Sequence, residues 1–172
     1  MIQASTIAFV AFVVTTVNAF TTFEIQYQNA ALKHHNYLRA RHCALPLKLD
    51  DELNTIAQDY ADYLARTNSF QHSNNGYGEN LYMSSSSSPI TSVDGTEATQ
   101  TWYDEIQYYN FNRPGFSSQT GHFTQVVWEG SVELGVGIGF SSDQRRVYVV
   151  TNYWPPGNFQ GQYAENVSPP NC

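Results

Sequence analysis

The chain has 172 residues, room for one domain with a sizeable core, and 41% of them are hydrophobic against 13% charged, which excludes a disordered polypeptide. Its net charge is −7, and the eight Lys and Arg residues are scattered, with Arg145–Arg146 the only adjacent pair. No basic face exists to neutralise phosphates or anionic lipid, which excludes nucleic-acid binding and charge-driven membrane binding.

The first charged residue is Glu24, and the apolar run Ile7–Val14 before it is too short to span a bilayer. Val17-Asn18-Ala19 follows, with small residues where a signal peptidase reads. Residues 1–19 are therefore read as a signal peptide and 20–172 as the mature domain. No later segment is long and apolar enough for a transmembrane anchor.

Tyr27, Ala30, Ala31, His34 and Leu38 recur at helical spacing and predict a first helix over about 23–41, with Pro46 barring continuation. Asp50 reads as the N-cap of a second helix over 51–67, whose apolar stripe is Leu53, Ile56, Ala57, Tyr60 and Leu64. Residues 68–77 are turn-rich, 79–83 read as a short strand, and the serines 84–88 as an exposed flexible loop. A third helix is expected over 94–109, with Ala98, Trp102, Glu105, Ile106 and Tyr109 on one face. Asn112-Arg113-Pro114-Gly115 breaks it.

Leu134–Phe140 alternates apolar residues with glycine, which predicts a strand with something packed closely against its glycine face. A second strand over 146–153 follows a hairpin loop at 141–144 and stops at Pro155-Pro156-Gly157. Helices first and a hairpin last give an α+β class.

Four polar residues occupy semi-buried-looking places: His72 in the turn-rich loop, Glu79 seven residues later, Glu105 on the face of Trp102, and His122 opening the apolar run Phe123–Trp128. A carboxylate on an apolar stripe is costly unless paired. Spacing alone does not bring the four together, and by itself each histidine reads first as a structural one. No HExxH pair, GxSxG elbow or glycine-rich phosphate loop is present. The sequon Asn166-Val167-Ser168 is followed directly by Pro169.

Several blocks carry a resemblance. Gly121–Ser131 (GHFTQVVWEGS) is similar to the first signature of the CAP superfamily, which includes the plant pathogenesis-related proteins, cysteine-rich secretory proteins and insect venom antigens. Tyr148–Phe159 (YVVTNYWPPGNF) resembles the second signature, with Thr151 where many members have cysteine. His35-Asn36 with Arg39, Pro46-Leu47, Gly78-Glu79-Asn80 and Trp102–Glu105 match further blocks, so the resemblance spans about residues 27–170. Trp102–Phe111 and Glu165–Val167 with Pro169-Pro170 resemble the Golgi-associated animal subgroup. This chain begins Met-Ile-Gln and lacks the glycine that N-myristoylation requires.

The resemblance implies a three-layer α-β-α sandwich whose cleft gathers His72, Glu79, Glu105 and His122. It implies a divalent metal such as zinc on His72 and His122, with the acids orienting them or joining as ligands. Relatives bind sterols, fatty acids or other lipids, and Tyr103, Tyr108 and Phe111 fit an aromatic pattern for such contact; Tyr103 and Phe111 fit core packing equally. The expected function is a secreted, extracellular, non-enzymatic binder of sterol or other lipid, in defence or host interaction, as a monomer or weak homodimer. One alternative is a metal-dependent hydrolase using the tetrad, with Ser73 and Ser117 as nucleophiles by residue type only. Another is a protein-binding module acting on a receptor. The two cysteines, Cys43 and Cys172, are expected to pair with each other in an oxidising compartment. Free thiols or intermolecular pairing are the competing outcome.

Overall fold

A computed structural model describes residues 19–172. The expected signal peptide, apart from Ala19, lies outside the described residues. The first helix, α1 (Thr22–Ala40), starts at a capping box in which the Thr21 hydroxyl accepts from the Glu24 amide and Glu24 accepts from the Thr21 amide. Its buried face is Tyr27, Gln28, Ala31, His35, Leu38 and Arg39, turned from the expected stripe so that His35, not His34, enters the core.

After β1 (Lys48–Leu49), α2 (Asp51–Thr67) is set by its ends: Asp50 Oδ1 accepts from the Leu53 amide at 2.8 Å, and Asn68 closes the helix in the left-handed conformation. Strand β2 (Gly78–Ser85) takes Ser84 and Ser85 out of the expected serine loop and pairs them with β4. The expected third helix is interrupted: α3 (Glu97–Tyr103) tightens into a 3-10 turn over Asp104–Tyr108. The apolar run after Thr120 is a helix, α4 (Gly121–Val127), followed by the hairpin β3 (Glu133–Phe140) and β4 (Arg146–Trp154) and a last turn, α5 (Tyr163–Asn166).

The sheet order is β1-β3-β4-β2, with β1 parallel to β3 and the other pairs antiparallel. Leu134, Val136 and Ile138 of β3 and Val147, Val149 and Tyr153 of β4 face the layer of α1, α3 and α4. Tyr148, Val150 and Leu81 face α2 with Ala57, Ala61 and Leu64. The fold is thus α+β in three layers. The glycine face of β3 meets α2 backbone to backbone: a Cβ on Gly135, Gly137 or Gly139 would fall within 2.5 Å of Leu53, Ala57 or Ala61 main-chain atoms.

That contact explains two buried polar residues of α2. β1 covers only Glu133 and Leu134, so among the described residues the outer edge of β3 beyond them has no strand partner. Gln58 accepts from the Ile138 amide (3.0 Å) and donates to its carbonyl (2.7 Å), pairing as a strand residue would. Asn54 accepts from the Val136 amide and Gln28 donates to the Val136 carbonyl. Three side-chain amides therefore seal an edge that would otherwise invite another strand.

The tail is closed by the Cys43–Cys172 disulfide, the expected intramolecular pairing, with Cα atoms 6.0 Å apart. The Asn171 amide also donates to the Arg41 carbonyl at 2.8 Å. Among the described residues no helix is long and apolar enough to cross a membrane.

Candidate functional site

Two short imidazole–carboxylate pairs stand at one end of the sheet. In the loop after α2, His72 Nδ1 meets Oε1 of Glu79, on β2, at 2.7 Å. On the first turn of α4, His122 Nδ1 meets Oε1 of Glu105 at 2.7 Å. Glu105 comes from the 3-10 turn, and its other oxygen accepts from the backbone amides of His122 (3.0 Å) and Phe123 (3.1 Å). A continuous helix to Tyr109 was expected; the tighter turn instead accompanies this grip on α4. His122 also stacks on Trp102, with ring planes 20° apart.

Each carboxylate accepts three hydrogen bonds. Glu79 accepts from the Ser73 amide (2.9 Å), the Ser73 hydroxyl (2.5 Å) and His72. Burial pushes the Glu79 carboxyl up, but the hydrogen bonds from His72 and Ser73 outweigh it and hold the group below the usual carboxylate range. The bond to Glu79 raises the His72 pKa against the opposing effect of desolvation. Orientation by carboxylate puts the proton of a neutral imidazole on Nδ1 and leaves Nε2 as the lone-pair atom.

His72, Glu79, Asn80 and His122 line one pocket of 250 Å³, together with Phe116 and Asn158. Glu105 is absent from its wall and stands behind His122. Three of the four expected residues thus share the pocket and the fourth orients one of them. No group of three or more His, Cys, Asp or Glu side chains suited to a metal occurs among the described residues. Only the two imidazoles offer free nitrogen, so a cation held there would complete its shell with water or ligand oxygen.

The spacing argument missed the roles of Asn80, Asn158 and Phe116. Asn80 Nδ2 donates to the His122 carbonyl (3.0 Å) and approaches the Tyr153 hydroxyl (3.3 Å). Asn158 Nδ2 donates to the Gly121 carbonyl and its Oδ1 accepts from Thr124. Phe116 is 62% exposed beside Gly121. Nothing in the periodicity marks these three, because two serve backbone groups of α4 and the third lies in a loop.

The aromatic trio does not share one exposed face. Tyr103 is 4% exposed, hydrogen-bonded to His42 Nε2, and packed edge-on against Phe123. Phe111 lies in the same cluster against Tyr109 and His42, while Tyr108 is 61% exposed. Ser117 accepts from the Gln119 amide, and neither its hydroxyl nor that of Ser73 bonds to an imidazole.

The comparisons agree with this architecture. The model of the cysteine-rich secretory protein family, CAP, matches residues 32–153. The human Golgi-associated plant pathogenesis-related protein 1 is 42% identical over 151 residues, covering 84% of this chain and 94% of that protein. The pathogenesis-related protein PR-1 of Medicago truncatula is 34% identical over 138 residues, covering 79% and 78%. Among solved structures, BmVAL-1 superposes with a TM-score of 0.71 at 23% identity, covering 91% of this chain and 88% of that one. NaASP2 with Zn2+ gives 0.66 at 25% identity, covering 91% of each chain. With a family match over most of its length and a full-length relative above 40% identity, the chain belongs to the cysteine-rich secretory protein, or CAP, family.

Proposed function

We propose that the protein is a secreted, non-enzymatic binder whose cleft holds a divalent cation between His72 and His122 and takes up a small hydrophobic ligand, a sterol or fatty acid. The observation that carries this reading is the paired arrangement: two imidazoles on one pocket, each with Nδ1 engaged by its own carboxylate. Carboxylate-oriented imidazole is a characteristic zinc ligand, and a similar structure was determined with Zn2+. Phe116 gives the pocket an apolar wall for the hydrophobic part of a ligand. Removal of residues 1–19 as a leader and cleavage before Phe20 belong to the same proposal.

The number of donors already on each carboxylate argues for binding over hydrolysis. A general base must reach the proton it abstracts and have a pKa near the working pH. Glu79 holds three donors and is depressed, and Glu105 holds three donors also. Calorimetry with zinc is expected to show one site that weakens as acid protonates imidazole, starting above the ordinary imidazole pKa because Glu79 raises that of His72. The His72→Ala/His122→Ala variant should lose it, and unchanged affinity there would refute the assignment. Sterol and fatty-acid binding at micromolar ligand tests the second half. Turnover of a peptide or ester that disappears in His122→Ala would replace the binder with a hydrolase.

A further inference from the structure

At the α2 side of the sheet lies a second pocket, of 400 Å³, which shares no lining residue with the histidine cleft. Two aromatic residues line it. Trp154, at the end of β4, is 46% exposed, and Tyr77 meets it edge to face with ring centroids 5.7 Å apart. Three acids also line the pocket, Asp50, Glu52 and Glu133, and no Lys, Arg or His does. The volume is in the range of small-molecule sites.

The sign of the field can be worked out. The N-terminus of α2 opens here and by itself favours an anion, with about half a positive charge. Asp50 already occupies it through the Leu53 amide, and Asp51 and Glu52 follow in the first turn. Glu133 adds a further carboxylate. Among the described residues the carboxylate ion pairs are His72–Glu79 and His122–Glu105, so neither Glu52 nor Glu133 has a cation of the chain within 4.0 Å. The pocket is therefore negative, and an anionic ligand is excluded.

The walls then select the kind of cation. A hard divalent ion needs several converging oxygens, and no group of three acids suited to a metal occurs among the described residues. An organic ammonium needs fewer contacts and gains from ring faces. Elsewhere in the chain aromatic faces are served internally, by Arg41 over Tyr103 and Arg66 over Tyr63. Trp154 has no such partner among the described residues, although it is the most exposed of the three tryptophans. We propose that this pocket binds an alkylated ammonium group, with Trp154 and Tyr77 supplying ring faces and Glu52 and Glu133 the counter-charge.

The test uses the disulfide-intact protein, choline as the probe and its neutral isostere 3,3-dimethyl-1-butanol as the control. Because Trp102 and Trp128 are each 2% exposed, choline-induced change in tryptophan emission reports on Trp154. Choline is expected to bind at least about tenfold more tightly than the alcohol. Trp154→Leu should weaken choline by about tenfold, whereas Trp154→Phe, which keeps a π-face, should retain most of the affinity when followed by calorimetry. Glu52→Gln/Glu133→Gln, two near-isosteric surface changes, should weaken it several-fold and flatten its salt dependence. Retention on phosphatidylcholine vesicles that free choline reverses would assign the ammonium to a lipid headgroup. Choline binding without retention would assign it to a soluble amine; both outcomes support the site. Equal binding of the alcohol, or choline affinity unchanged in the folded Glu52→Gln/Glu133→Gln variant, would overturn it.

Discussion

Replacing Gly137 with alanine tests the three-layer packing at its tightest point. The added Cβ would lie closer than 2.5 Å to the carbonyl carbon and oxygen of Ala57 and to the Gln58 nitrogen. Ordinary carbon contacts are about 3.5–4.0 Å, so α2 must retreat by roughly 1 Å or more. The obstacle is helix backbone, and no side chain can rotate away. A retreat of that size would carry both Gln58–Ile138 hydrogen bonds, at 2.7 and 3.0 Å, beyond useful length. Overpacking of about 1–3 kcal/mol, plus about 1 kcal/mol for each lost hydrogen bond, gives an expected destabilisation of about 3–5 kcal/mol. That is a large share of a domain's usual stability of about 5–15 kcal/mol. Urea unfolding with the disulfide intact measures it. Adding Ala57→Gly should not rescue the variant, because the clash is with main chain, and glycine in a helix costs about 1 kcal/mol more. A loss under about 1 kcal/mol, or rescue by Ala57→Gly, would refute the backbone-contact argument.

Two further predictions concern His35 and the tail. His35 is fully buried between the Ala31 carbonyl and the Tyr153 hydroxyl, and desolvation, reinforced by Arg39 and His34, lowers its pKa to about 3. The unfolded chain takes up that proton near pH 6.5 and the folded chain does not, so the stability is full above about 6.5 and falls with pH. About 2 kcal/mol should be gone by pH 5, read as a shift in urea midpoint, and His35→Gln should flatten that slope. His42, also depressed by burial, adds in the same direction, while the raised His72 opposes it. A slope unchanged in His35→Gln would show that another group carries it. Replacing both cysteines with serine removes a cross-link over 129 residues, worth about 5 kcal/mol in the chain-entropy model. In that model the bond acts on the unfolded chain, and the Asn171 amide and His42, bonded to the Ser168 carbonyl at 2.6 Å, still hold the tail of the folded one, so the measured loss should approach that figure; a loss under about 2 kcal/mol would contradict it.

The limits of α2 and the closeness of something to the β3 glycines are readable because each has a local signature: an aspartate cap, and alternation of glycine with Leu134, Val136 and Ile138. The stripe of α2 is read slightly wrong for a physical reason. A periodicity argument scores Asn54 and Gln58 as outward, yet both are buried because they complete the edge of β3. The same bias hides Gln28 and Arg39 in α1. Helix α4 is invisible to periodicity, since Phe123 to Val127 are all buried and no polar face repeats. The end of α3 carries no glycine or proline; the break coincides with the grip of Glu105 on α4, a contact between segments 17 residues apart. The cleft was likewise legible only through resemblance, because nothing local in His72, Glu79, Glu105 and His122 announces that two pairs will face one pocket.

The position of His122 rests on a helix that has little reason to exist alone. Seven residues are far below the length at which a helix is stable in water, and Thr120 gives α4 no side-chain cap. Its two ends are instead held by opposite charges from other elements. At the N-terminus Glu105 accepts two backbone amides. Beyond the C-terminus Arg39, fully buried in α1, donates to the carbonyls of Val126 (3.0 Å) and Trp128 (2.8 Å), and also to those of Ser131 (2.9 Å) and Leu45 (2.9 Å). Burial lowers its pKa to about 10, which leaves it charged at neutral pH. A carboxylate at the positive end and a guanidinium at the negative end both match the helix dipole. Charge-assisted hydrogen bonds of this kind are worth about 1.5–3 kcal/mol each, enough to fix a helix that propensity would not. Asn80 then ties the His122 carbonyl toward Tyr153, and Tyr153 to His35. The cleft histidine on α4 is therefore positioned by buried polar groups of α1 and β2 together with the partly buried Glu105 of the 3-10 turn, which is why Arg39 and Asn80 are polar in a core that apolar packing alone would have filled.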